Sequence, residues 1–285
     1  MDHDSEKAQA QFEHQSRSSR EQEAAVLHEE FSEEFSEDEQ KRILRRIDYR
    51  LVTVTGVLYC ISLIDRVNMS SANIAGMVDE LGLVGNHYNI ASLVFFVTYT
   101  VFQPPSTIIC RALGPRLHIS AITLFWGAAV VGMAFVTNFG ALTGLRLLLG
   151  VFEAGFFPSC VYLLSTWYTR YEVGKRYACF YVVGCAASGC SGILAYGLMQ
   201  LRGKAGLSGW QWIFFFEGLL TITLGLAAYW LLVGFPDSKQ PSWKFLNQRE
   251  LDWVVRRVDA DRGDSKTPKF ELKKFFGAAL DIKIW

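Results

Sequence analysis

The sequence predicts an all-α integral membrane protein with six transmembrane helices, and three observations predict it. Six apolar runs lie at about 51–75, 88–109, 118–137, 141–166, 177–200 and 211–234. Each meets the roughly 20 helical residues needed to cross about 30 Å of hydrocarbon. The runs lack the polar stripe that a soluble helix shows on every turn, and "AITLFWGAAVVGMAFV" has none. Finally, Lys and Arg collect at alternate breaks between the runs.

Residues 1–40 come first. They hold 13 acids and 3 Lys/Arg, a net charge of −10, so the zero net charge of the chain hides a remainder of +10. The segment is rich in Glu, Ser and Gln and cannot bury enough apolar surface to offset the entropy of ordering, which predicts a disordered, acidic cytosolic tail. No apolar signal-peptide core lies in the first 20 residues.

Residues 41–235 form the predicted six-helix bundle. Lys41, Arg42, Arg45, Arg46 and Arg50 precede the first span, and Arg111 and Arg116 separate the second and third. Arg170, Lys175 and Arg176 separate the fourth and fifth, and Lys239, Lys244 and Arg249 follow the sixth. The loops VDELGLVGNHYN and VTNFGA carry no Lys or Arg, while the fifth carries Arg202 and Lys204. The positive-inside rule then puts both termini in the cytosol. Trp210 and Trp212 fall where an interfacial aromatic belt is expected. Gln103-Pro104-Pro105 predicts a kink in the second span. Gly184, Ser188 and Gly192 share one face of the fifth span, a close-packing surface or a sliding one. The six cysteines lie in or beside apolar runs without a CxxC pair and read as small hydrophobes, not as disulfides or zinc ligands. Residues 236–285 read as a central-loop segment that ends in "KFFGAALDIKIW", the approach to a seventh span.

Asp65, Arg66, Arg146, Glu153 and Glu217 lie inside the spans. A charge at the bilayer centre costs at least about 2.5–3.5 kcal/mol, so these residues face a partner or a water-filled cavity. At a rise of about 1.5 Å per residue, Arg66 stands about 22 Å from the cytosolic edge. On the same rise, Arg146 is about 8 Å and Glu153 about 18 Å below the outer edge, and Glu217 about 9 Å. Arg66 and Arg146 thus share a level, with Glu153 near the midplane. Two guanidiniums at one depth suit a carboxylate, which Arg binds through a bidentate fork without losing its own charge. Asn68 is grouped with Arg66 and Arg146 as a candidate anion contact. Asp65 and Glu153 can change charge and are the candidate proton carriers. The alternative is a set of buried ion pairs that only hold helices together, which is the leading reading for Glu217. Glu172 and Arg176, spaced i, i+4, form either a local ion pair or, with Arg116, a cytosolic gate. The chain has no Gly-rich phosphate loop, no HExxH and no GxSxG, and nothing in it points to an enzyme, a metal or cofactor site, or nucleic-acid binding.

Four segments, "LIDRVNMSSANIAGM", "FFVTYTVFQPPSTIICRALGPR", "GLRLLLGVFEAGFFPSCVYLLSTWYTRYEVGKR" and "WQWIFFFEGLLTITLGLAAYWLLVGFPDS", together resemble the fungal allantoate permease family, anion:cation symporters of the major facilitator superfamily. The resemblance runs from about residue 30 to the end. It implies the N-terminal half of a twelve-span, proton-coupled importer of small carboxylates such as allantoate, nicotinate or pantothenate. It aligns the family's first-span Asp-Arg with Asp65 and Arg66, and its R-x6-E-A-G with Arg146, Glu153, Ala154 and Gly155. In the family that first-span Arg meets the substrate carboxylate and the neighbouring acids take part in proton coupling. Gln103-Pro104-Pro105-Ser106 departs from the family, where Glu commonly precedes the I-P-S segment. The expected partners are a small organic anion, the lipid bilayer (the plasma membrane), and a missing C-terminal half or another half-transporter; the coupling ion is a proton. The alternative is a truncated, non-transporting membrane protein that acts as a sensor or as the partner of a full-length transporter.

Overall fold

A computed structural model describes residues 34–236 and 245–262. Most of the acidic tail and the approach to a seventh span lie outside the described residues. Every regular element among the described residues is helical.

The first span is a long helix, Glu37–Ile74. Ser36 and Glu39 close a capping box at its start, and Glu37, Asp38 and Glu39 complement the positive helix end. Helix therefore begins four residues inside the segment assigned to the tail. Residues Glu37–Ile47 join Thr53–Ile74 through one π turn, Asp48–Val52. Gly76, at φ 93°, ends the span in the left-handed region that glycine adopts freely. A short helix, Met77–Glu80, leads to the second span, His87–Leu113. That helix continues unbroken through Pro104 and Pro105. Gly114 (φ 84°) and Pro115 then turn the chain into the third span, Pro115–Met133. The fourth span is two helices, Phe139–Glu153 and Phe156–Trp167, interrupted directly after Glu153. The fifth is Arg170–Met199. The sixth, Gly209–Leu231, starts at a capping box of Ser208 and Gln211. A final helix, Gln248–Arg262, lies in the central-loop segment.

Six helices are thus long and apolar enough to cross a membrane. The spans pack third on sixth, second on fourth and first on fifth, with the sixth also against the first and the third against the fourth. The third and sixth approach so closely that a Cβ at Gly218 would stand 2.6 Å from the Val131 backbone nitrogen. Apolar faces of the second and fifth spans stay uncovered, including Phe96, Val97, Val101, Val182, Val183 and Ile193.

Three sequence expectations are corrected here. Trp210 is 2% exposed and donates to Glu80 Oε2 at 2.7 Å, so it packs inside the helix ends and does not belong to an outer aromatic belt. Gly184 packs against Tyr59, but Gly192 faces open space; the packed face of the fifth span runs through Gly184, Ser191, Ala195 and Leu198. Cys110 and Cys160 are buried, whereas Cys179, Cys185 and Cys190 are exposed on the fifth span.

Candidate functional site

A cluster of polar side chains occupies the centre of the bundle. On the first span, Ser62 and Arg66 are four residues apart and share a face. Both reach Glu153 Oε1 on the fourth span, Ser62 Oγ at 2.7 Å and Arg66 Nε at 2.8 Å. Arg66 Nη2 donates to the Tyr99 hydroxyl at 2.9 Å, and its guanidinium carbon lies 4.7 Å from the Tyr99 ring centroid. Glu153 is fully buried, yet its Oε2 has no hydrogen-bond partner. Gly150, one turn before Glu153, lets the second span come close: a Cβ there would stand 2.5 Å from the Phe95 carbonyl.

Asp65 faces elsewhere. Consecutive residues leave a helix about 100° apart, and Asp65 points between the third and sixth spans. Trp126 Nε1 donates to its Oδ2 at 2.7 Å, Thr221 Oγ1 lies 3.1 Å from the same oxygen, and Asn68 Nδ2 donates to Oδ1 at 3.1 Å. Asp65 and Asn68 are each 1% exposed. The adjacent acid and base are therefore not paired with one another, and Asn68, grouped in the sequence with Arg66 and Arg146 as a candidate anion contact, belongs to the Asp65 side.

Arg146 is 3% exposed, and its Nε and Nη2 have no hydrogen-bond partner. These two nitrogens form one edge of the guanidinium, the edge that holds a carboxylate by two parallel bonds. In Arg66 the same two nitrogens are taken by Glu153 and Tyr99. Arg146 is within electrostatic range of Glu153, Tyr88 and Asp65. The depth estimate made Arg66 level with Arg146 and set Glu153 deeper, yet Arg66 bonds Glu153 directly. That estimate counted backbone rise alone, and the long Arg66 side chain reaches the Glu153 carboxylate across the offset.

The candidate gate residues lie at the end of the bundle where the basic clusters gather. Arg176 clasps Asp48, Nε to Oδ1 at 2.5 Å and Nη2 to Oδ2 at 2.9 Å. From Glu172 it takes only the backbone carbonyl, at 3.0 Å. The Glu172 carboxylate pairs instead with Arg257 on the Gln248–Arg262 helix, which replaces the expected i, i+4 pair. The Tyr168 hydroxyl donates to Asp48 Oδ1 at 2.7 Å; burial and that carboxylate push its pKa well above the usual tyrosine range. Arg116 joins neither residue. It donates to the Tyr229 carbonyl and lies over the Tyr229 ring, tying the third span to the sixth.

Residues 55–280 match the family described as Major Facilitator Superfamily. The chain belongs to the major facilitator superfamily. It is 35% identical over 254 residues to the MFS-type transporter cnsO of Penicillium expansum, covering 88% of this chain and 49% of that protein. To the high-affinity nicotinic acid transporter of Saccharomyces cerevisiae it is 34% identical, covering 86% of this chain and 45% of that one. To a putative tartrate transporter of Agrobacterium vitis it is 32% identical, covering 87% and 53%. The chain thus spans about half the length of the curated relatives it matches. The fold resembles a bacterial homolog to the human lysosomal transporter Spinster, in its inward-facing and unoccupied conformation, with a TM-score of 0.61 at 17% identity over 70% of this chain and 46% of that one. This is a multi-pass membrane protein with the helix arrangement of a major facilitator bundle.

Four members of this major facilitator cluster were not singled out from the sequence: Ser62, Tyr99, Trp126 and Thr221. Ser62 carried a usable signal, lying one turn from Arg66 on the same face. Thr221 carried another, one turn beyond Glu217. Tyr99 and Trp126 read as ordinary apolar-span aromatics, and only the fold brings them to the charges.

Proposed function

We propose that this chain is the N-terminal half of a proton-coupled importer of small organic carboxylates, close to the allantoate permease branch of the superfamily. What supports the reading is the open edge of Arg146, a buried guanidinium with two donors and no acceptor. A charge so placed is costly unless something pairs with it, and a substrate carboxylate supplies two acceptors. Arg66 is the second anion contact. Its edge opens when Glu153 takes up a proton and releases it, so substrate and proton use the same residue. The names of the yeast nicotinic acid and Agrobacterium tartrate relatives are consistent with a carboxylate substrate. The uncovered faces of the second and fifth spans are where the other half packs. The basic end faces the cytosol, with Arg116, Glu172 and Arg176 among the residues of a cytosolic gate, and the plasma membrane is the site of action. Equilibrium binding of labelled nicotinate to the purified protein tests the site. Arg146→Gln is expected to weaken binding at least tenfold; unchanged affinity would remove Arg146 from the site.

A further inference from the structure

Glu217 is the buried charge that the anion site leaves over. It lies on the sixth span, 2% exposed, and neither of its carboxylate oxygens has a hydrogen-bond partner. Among the described residues, the groups in electrostatic range of it are Asp65 and the Asn68 amide, both from the first span. The third span, packed tightly against the sixth at Gly127 and Gly218, brings Trp126, whose indole N–H is already given to Asp65. Arg146 on the fourth span is in range of Asp65 and Glu153.

The two acids therefore differ sharply in their surroundings. Asp65 is also buried and in range of the Glu153 carboxylate, but it has the Trp126, Thr221 and Asn68 contacts and lies in range of the Arg146 guanidinium. Glu217 has no close hydrogen bond, shares the Asn68 amide within reach, and has a carboxylate for a neighbour. Hydrogen bonds and an opposite charge favour the ionised form; a dry site beside a like charge disfavours it. We infer that Glu217 is a second proton-carrying carboxyl, holding a proton beside Asp65, on a different face of the first span from Arg66. This deepens, and for its role in transport rests on, the proton-coupled reading above. It divides the work: Glu153 answers to the anion, and the Asp65–Glu217 pair stores a proton between the first, third and sixth spans.

Infrared spectroscopy of the purified, reconstituted chain at neutral pH reads the protonation directly. The wild type should show a protonated-carboxyl band that is lost in Glu217→Gln and kept in Glu153→Gln. Absence of the band in the wild type, or its persistence in Glu217→Gln, would overturn the assignment. If Glu217→Gln does not fold, Glu217→Asp serves instead: the band must move in frequency, and an unmoved band refutes the idea. In proteoliposomes holding the chain assembled with its second half, Glu217→Gln should retain exchange of labelled nicotinate while losing at least tenfold in uptake driven by a pH gradient; wild-type gradient-driven uptake would rule out a role in coupling. A wild type that transports no nicotinate would count against the proposed function while leaving the infrared result to decide Glu217.

Discussion

The side chains of Asp65 and Arg66 leave one helix in different directions and enter different networks. Arg66 joins Ser62, Tyr99 and Glu153, facing the second and fourth spans, and keeps 28% of its side chain exposed. Asp65 joins Trp126, Thr221 and Asn68 and is sealed between the third and sixth. Trp126→Phe removes a 2.7 Å donor from a buried carboxylate while keeping an apolar ring. It should cost about 1.5–3 kcal/mol, the range for hydrogen bonds to charged groups, read as a lower unfolding temperature in detergent. Trp212→Phe is the control, because its indole N–H has no partner, and it should cost less. The sequence showed which residues carry charge within the membrane, because charge in hydrocarbon stands out in any linear reading. It did not show which acid met which base. Arg66 pairs with Glu153, 87 residues away, and not with its neighbour.

At the scale of the element, the spans were legible because crossing hydrocarbon demands length and apolarity, both properties of a single segment. Rotation about each helix axis was not, since it depends on what the other helices present. Trp210 shows the limit: placed by position at the membrane surface, it turns inward to Glu80. Two predictions belong here. Gly218→Ala would drive a Cβ into the third-span backbone and should destabilise the bundle by about 1–3 kcal/mol, whereas Gly192→Ala faces open space and should not. The second concerns the tie between Glu80 and the start of the sixth span. Burial acts to raise the Glu80 pKa, but hydrogen bonding from Ser208 and Trp210 and the Arg202 charge outweigh it, so the carboxyl sits below its ordinary value. A depressed folded value means the stabilisation is complete above the unfolded glutamate pKa of about 4.3. It is lost as pH falls through the folded value. The stability difference between wild type and Glu80→Gln should therefore be constant from neutral pH down to about 4.3, fall between there and the lower folded value, and level off below it.

For the whole molecule, five of the six spans meet in a central cluster that holds two cations and three acids, while the basic clusters collect at one end and bind it together. Asp48, Tyr168 and Arg176 join the first and fifth spans there, and Arg257 brings in the central-loop helix through Glu172. This is a cross-linked end beside a polar centre, with apolar faces of the second and fifth spans uncovered. Transporters of this kind place substrate near the bilayer midplane, where the halves meet, and under the proposed function the open edge of Arg146 and the Arg66–Glu153 pair would supply one wall of such a site. The decisive measurement is uptake of labelled nicotinate, driven by an inward proton gradient, by the protein assembled with its second half. Wild-type protein should accumulate the anion, and Arg66→Ala should reduce the initial rate at least tenfold. Wild-type rates in Arg66→Ala, or uptake indifferent to the proton gradient, would contradict proton-coupled carboxylate transport at this site.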